Sequence, residues 1–416
     1  MTAPIVFVLL TAVVAADATE IVVSSGAFAR RDTPVEVVVE VDRLAQSGVN
    51  LTADPWPKPI ALQEQHDGRP FGAPTVAEVS KPVAHQATLT FILPGATPAR
   101  ADRRFSIVPR ALDSPPTPWT LSDPSAGTLD LKNRGRPVFR YNLKPVANPK
   151  CPKVPARAAY LHPAQAPSGA VITGDFSTAH PHHRGFFLAY AKTQSGTLHP
   201  DFWNIHNGTG LIVFDRLEQD QVGPVTAGIS ARHRWEATGG GTVLVENWRI
   251  RAFDIPGSPY WLFDLTSTQQ AIGKPLELPS YRYGGMAYRG PDPFLKGTLD
   301  VLTSAGLGRK TGDQKPARWV NLTGPVAEGS ARYGGALILD HPANPHHPTP
   351  ARIHPTSLPF FAFTPSHDEA LVIAIDRPTV FRYRIMLHDG RPDAALDDQL
   401  WHDFADPPRV TVEPGH

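Results

Sequence analysis

The sequence predicts an all-β protein, and three observations carry that expectation. The 416 residues include 45 prolines and 33 glycines, enough punctuation to cut the chain into short extended segments. Many short segments alternate apolar with polar residues or run apolar for four to eight positions, as half-buried and fully buried strands do. No stretch of a dozen residues holds a helical period, and the segment Asp397–Phe404 is the best candidate for a short helix.

In chain order, Met1 to about Ala18 reads as an export leader. Its apolar run, Ile5 to Leu10 and on through Val14, precedes the small residues Ala15, Ala16 and Ala18. The segment has no Lys or Arg before its apolar run, and an ordinary first strand is the competing reading. Val35–Val41, Ala87–Pro94 and Phe105–Pro109 are strand patterns separated by turns such as Asp54-Pro55-Trp56-Pro57. Residues 20–110 are therefore expected to form a small, immunoglobulin-like β-sandwich. The Pro-rich stretch Ser114–Pro118, within residues 111–124, is the expected linker. Strand patterns then resume at Val138–Leu143, Phe186–Tyr190, Leu211–Phe214, Thr242–Ile250 and Leu371–Ile375, so 125–416 is expected to be a large two-sheet sandwich.

Hydrophobic residues make up 41% and charged residues 19%, which suits packed domains. The formal charge of +1 supplies no field for nucleic acid or an anionic membrane. After the leader no apolar run approaches the roughly 20 residues of a membrane helix. The single cysteine, Cys151, excludes an internal disulfide and a Cys-based zinc site.

The 17 histidines cluster. His180-Pro181-His182-His183-Arg184-Gly185 stands just before the Phe186–Tyr190 strand. In extended backbone His180 and His182 point one way and His183 the other. Neutral imidazoles can bind a transition metal, act as acid and base, or grip sugar hydroxyls. Arg184 adds a fixed cation suited to a carboxylate or an oxyanion. The competing reading is a turn whose histidines satisfy local backbone groups. In Asp201–His206, Trp203 is suited to stacking on a sugar face or to plain core packing, and His206 is placed to complete a metal set with His180 and His182. Glu246 lies in an apolar strand: facing inward it is a buried general base, facing outward it is the strand's polar face. Arg282 and Tyr283 sit in a Tyr/Arg/Gly segment suited to ligand contact. Asp340–Pro350, with His341 and Asn344, is a second His/Pro loop.

Several of these motifs together resemble the PmoA-type family of exported bacterial proteins, whose domain has no assigned function. They are Tyr160-Leu161-His162-Pro163 with Gly169, His180–Gly185, Asp201-Phe202-Trp203, Asp340-His341-Pro342 with Asn344-Pro345, Arg382-Tyr383-Arg384 and His388-Asp389-Gly390. The resemblance covers 125–416 and implies a β-supersandwich of the galactose-mutarotase kind, which often handles sugars. It implies a site at His180, His182, His183, Arg184 and Trp203, with His341 and Asn344 opposite. The family label alludes to a methane monooxygenase subunit, an integral membrane copper protein. That activity is rejected for a chain without a spanning segment after its leader.

The resulting expectation is an exported carbohydrate-active protein, an enzyme acting on a glycoside or modified sugar. His182, His183, Arg184 and Glu246 are its catalytic candidates, and Trp203, Arg282, Tyr283, His341 and Asn344 its substrate-binding candidates. A divalent transition metal at His180, His182 and His206 is the cofactor candidate. The alternatives are a non-catalytic sugar-binding or surface-associated module and a metal-dependent oxidoreductase.

Overall fold

The computed structural model describes residues 19–51, 55–108, 117–296, 299–356 and 358–414. The expected leader and Ser114–Pro116 of the expected linker lie outside them. The described residues are mostly β, with their antiparallel strands in three large sheets and one two-stranded ribbon, Leu276–Leu278 with Leu371–Ile373.

The first sheet has seven strands, in the order Arg30–Glu40, Gln86–Thr97, Arg69–Val79, Lys58–His66, Asp102–Val108, Thr19–Ser24 and Arg409–Pro414. It surrounds its own apolar core of Ile21, Val35, Leu62, Leu89, Phe91 and Phe105 with their neighbours. Its last strand comes from the far end of the chain, with Ile21 opposite Val412 and Val23 opposite Val410.

The other two sheets form the large sandwich. The nine-stranded one runs Lys315–Pro316, Pro350–Ile353, Phe360–Phe363, Gly284–Arg289, Phe186–Tyr190, Tyr160–Ala164, Arg136–Asn142, Thr128–Asn133 and Trp119–Leu121. The eight-stranded one runs Gly210–Val222, Thr226–Ala237, Gly241–Phe253, Tyr260–Ala271, Thr379–Asp389, Tyr333–Asp340, Trp319–Pro325 and Asp300–Thr303. The apolar faces of these two sheets share one core that includes Phe139, Phe187, Trp235, Trp248, Phe263 and Ile385.

Central strands of the eight-stranded sheet are buried on both sides, and their alternation shows it. Phe263, Ile338 and Ile385 enter the inter-sheet core, whereas Leu262, Leu337 and Met386 enter a second cluster with Ile92 and Leu400. That second cluster lies under the helix Ala394–Ala405, which covers the expected Asp397–Phe404 segment. Asp393 caps it by accepting from the Ala395 and Leu396 N–H groups at 3.0 and 3.3 Å. A short helix, Val41–Gln46, takes over where an extended segment to Val41 is expected from the alternation.

Buried polar pairs tie the first sheet to the sandwich. Arg30 meets Asp403 of the long helix at 3.0 Å with both side chains out of solvent, and Thr33 donates to the same carboxylate. Glu78 accepts from the Val225 and Thr226 N–H groups at 3.0 Å, and burial raises its pKa. A groove of about 410 Å³ runs along this junction, lined by Glu78, Thr90, Gln221, Arg249 and Arg251 among others.

Candidate functional site: a histidine cluster at one end of the nine-stranded sheet

The stretch His180–Arg184 forms the loop that delivers the chain into the strand Phe186–Tyr190. It is a turn rather than extended backbone: the His183 N–H donates to the His180 carbonyl at 3.1 Å. The alternation expected of an extended segment therefore does not apply, and all three imidazoles converge. One nitrogen from each of His180, His182 and His183 lies within 4.8 Å of the others.

Glycines let this loop pack so closely. Gly185 has φ +47°, and a Cβ there would run into the Leu161 carbonyl oxygen on the neighbouring strand. Gly174 approaches the backbone of Gly290 in the same way, and the Gly185 N–H donates to the Gly174 carbonyl at 2.8 Å.

The surroundings hold the imidazoles neutral. Burial, reinforced by Arg157, brings His182 down to about 3. Burial puts His183 well below its ordinary range, with the neighbouring histidines, Arg289 and Arg157 acting in the same direction. His180 is shifted down by burial and then by Arg289. The ring of His183 stacks on Phe360 at 4.4 Å and meets Trp203 edge-on at 5.8 Å. The Nδ1 atoms of His182 and His183 are buried without a hydrogen-bond partner. Buried polar atoms are normally paired, so two such atoms in adjacent residues single this loop out as a candidate site.

Two further histidines flank the trio. His206, exposed on a short 3-10 turn, has its ring 5.5 Å from that of His182. The ring of His354 lies 6.4 Å from that of His180, and burial followed by Arg352 brings it down to about 4. The compact donor set thus contains His183 where His206 is expected, and His206 stands at the rim. Beside the rim, Lys192, His199, Asp201 and Asn207 line a depression of about 470 Å³.

The remaining candidates separate. Arg184 turns away from the cluster into a buried ion pair, 3.1 Å from Asp175, with its guanidinium against Phe176 and Tyr160. It anchors the loop, so it is not available as the cluster's anion receptor. Trp203 is 2% exposed and packs on Phe187 and Phe360, which makes it a wall beneath the histidines and not an open stacking surface. Tyr283 lies beside Trp203, its hydroxyl accepting from Arg352 at 3.2 Å, while Arg282 is exposed over the Tyr283 ring.

Glu246 faces inward, but into a closed network between the sheets. It accepts from the indole N–H groups of Trp235 and Trp248 at 2.9 and 2.8 Å, from Ser267 at 2.5 Å and from Gln269 at 3.0 Å. Burial pushes its pKa up, but these donors and His233, 3.7 Å away, overrule it and the net shift is downward. A carboxylate so fully satisfied and sealed is a core anchor and not a general base for an external substrate. His341 and Asn344 belong to the far loop. His341 meets Phe404 of the long helix at 4.8 Å, and Asn344 clasps Asp340 and the backbone of Arg382 at 2.7–2.8 Å.

Sequence reasoning missed Arg157, Phe360 and His354. Arg157 precedes the Tyr160–Pro163 motif without being part of it, Phe360 sits in a plain apolar strand, and His354 is a single histidine after a short strand. Phe360 reaches the cluster on a strand of the nine-stranded sheet, His354 follows another, and Arg157 arrives from an isolated bridge with Val146.

These features define an all-β supersandwich protein that carries a histidine cluster on a loop at one sheet end. The family model described as a family of unknown function, DUF6807, matches residues 128–402. The chain belongs to that family. No curated protein matches the chain. Among solved structures it is similar to an α-mannosidase from Enterococcus faecalis V583, with 10% identity and a TM-score of 0.45, covering 96% of this chain and 46% of that one. A glycosyl hydrolase family 38 protein from Enterococcus faecalis is similar at 8% identity and a TM-score of 0.38, covering 96% of this chain and 48% of that one. The chain spans just under half the length of each. Among the described residues no helix is long and apolar enough to cross a membrane.

Proposed function

We propose that this chain is an exported carbohydrate-active enzyme, acting on a glycoside or modified sugar, with a divalent transition metal held by His180, His182 and His183. The observation that carries the reading is the convergence of three imidazole nitrogens within 4.8 Å, two of the rings having buried Nδ1 atoms without partners. A purely structural turn would satisfy those nitrogens with backbone or side-chain groups. Neutral imidazole is the form that ligates a metal, and an N-donor set suits zinc, copper, iron or nickel. Such an ion would polarise a bound oxygen or lower the pKa of a bound water. His206 at the rim would then exchange protons with a substrate, and His354 would take part from the opposite side. The sugar assignment draws on the resemblance to the PmoA-type family and its supersandwich fold, which supports it only by analogy.

The test is the metal content of the purified protein beside a His180→Ala/His182→Ala double variant. Near-stoichiometric metal in the wild type, lost in the variant while the fold is kept, is the expected result. Metal in neither protein would overturn the metal centre and leave the imidazoles as acid/base or binding groups.

A further inference from the structure

Against the cluster lies a guanidinium with no counter-ion among the described residues. Arg157 is 2% exposed, its guanidinium carbon 4.5 Å from the centroid of the Phe187 ring, and its Nη1 donates to the His182 carbonyl at 3.3 Å. Its Nε and Nη2 have no hydrogen-bond partner, and no carboxylate among the described residues comes within ion-pair distance. Asp201 and Asp175 act on it only from farther away, while Arg184 repels it. Burial, with that repulsion, pulls its pKa down to about 9. The contrast with Arg184 is direct, since that side chain is equally buried and has Asp175 at 3.1 Å. An unpaired buried guanidinium destabilises a fold by several kcal/mol, and a planar fork whose Nε and Nη2 donors are both idle is shaped to receive an oxyanion.

The charge around the cluster points the same way. Arg157 acts on His182 and His183, Arg289 on His180 and His183, and Arg352 and Arg309 on His354. Carboxylates offset part of this charge, Asp292 at 2.7 Å from Arg289 and Asp313 at 2.5 Å from Arg352, and among the described residues Arg157 is left without one at that range. A dication bound by three neutral imidazoles here would add two positive charges beside that guanidinium, a repulsion that an anionic ligand removes.

We propose that the histidine cluster takes an acidic sugar, a uronate or related sugar acid, whose carboxylate pairs with Arg157. The metal-centre reading supplies the place of the ligand, but the preference for an anion stands on Arg157 itself. Arg157 is a binding and positioning residue in this scheme. The carboxylate occupies the idle Nε and Nη2 donors and leaves the sugar hydroxyls and ring facing His180, His206 and His354.

The experiment is isothermal titration calorimetry on the purified full chain, with metal content measured on the same samples. The probes are glucuronate and galacturonate, the neutral sugars glucose and galactose, and inorganic phosphate and sulfate. Wild type is compared with Arg157→Met, which keeps length and packing but removes the charge, and with Arg184→Met as a control for loss of a paired arginine. A uronate is expected to bind at least tenfold more tightly than its neutral counterpart, and Arg157→Met to lose that difference. Arg157→Met is also expected to keep its melting temperature without ligand, or to gain, whereas Arg184→Met loses stability. Equal binding of uronates and neutral sugars by the wild type would overturn the proposal. So would an unchanged uronate preference in Arg157→Met, or phosphate or sulfate binding as tight as the uronate. Uronate binding that depends on Arg157 in protein without metal would uphold this proposal and defeat the metal centre, which separates the two failures.

Discussion

At the scale of single residues, burial and partner supply decide what each side chain can do. Glu246 and His182 are both buried, yet one carboxylate accepts four hydrogen bonds while the other residue has an idle ring nitrogen. Glu246→Gln places an amide N–H₂ among donors and breaks that network, so it should lower stability by about 2–4 kcal/mol. Metal content and ligand binding at the histidine cluster should be unchanged, as thermal unfolding and elemental analysis of the same preparation would report. Gly185→Ala tests the loop itself. The side chain would collide with the Leu161 carbonyl at a positive φ, so a loss of about 2 kcal/mol or more is expected together with loss of metal. A variant with full stability and full metal content would show that the loop does not need the glycine.

At the scale of elements, the helix Ala394–Ala405 contains a group that titrates with folding. Burial raises the Asp397 carboxyl to about 7, opposed by the Asn321 side chain, which donates to it at 2.9 Å, and reinforced by Asp393 and Asp398. The other end of that amide accepts from His388 Nε2 at 3.0 Å. A carboxyl raised in the folded state holds a proton that the unfolded chain releases. Its contribution is full below the unfolded value near 4 and is lost as pH rises through about 7, up to about 4 kcal/mol in all. His388, lowered chiefly by burial, gives the opposite slope below its ordinary range. Asp397→Asn should therefore flatten the fall in melting temperature between pH 5 and pH 7 relative to wild type. Parallel curves for the two proteins would refute the assignment.

Much of the architecture was legible at this scale because a strand with one buried face writes its period into the sequence. Gln86–Thr97 and Gly241–Phe253 both contain segments recognisable from alternation alone. The loop His180–Gly185 was legible as a concentration of chemistry but not as a shape, since alternation assumes extended backbone and a single 3.1 Å turn hydrogen bond reverses it. The direction of Glu246 was open because its strand has polar residues on both faces. Arg184 has Asp175, nine residues earlier, opposite its guanidinium while Arg157 has no such partner among the described residues, and which arginine meets the aspartate depends on how the intervening loop folds.

At the scale of the whole molecule, the two units are joined through Arg30 and Asp403, through Glu78 and by the strand Arg409–Pro414. Asp403→Ala leaves a buried guanidinium without its counter-ion and should lower overall stability by about 3–5 kcal/mol, read by chemical denaturation. Truncation after Pro408 removes a paired strand and bares the edge Thr19–Ser24. Faster proteolysis within residues 19–108 is expected, with metal retained at the histidine cluster. Uniform proteolysis of the whole chain would show that the sandwich depends on that strand as well.

The pairing of Thr19 with Pro414 and Ser24 with Arg409 has a topological consequence. The entire large sandwich is inserted in the chain between Asp102–Val108 and Arg409–Pro414, the two strands that flank Thr19–Ser24 in the small sheet. Six of that sheet's seven strands emerge before the sandwich during synthesis and the seventh after it, so the nascent small unit waits with an open edge until Arg409–Pro414 has been made. Thr19 and Pro414 face each other as the closing pair of a hairpin would, so a short engineered turn could join them and new ends could be opened at an exposed loop of the sandwich. Such a circular permutant would make the seventh strand a sequence neighbour of the sixth-placed one and let the small unit form without waiting.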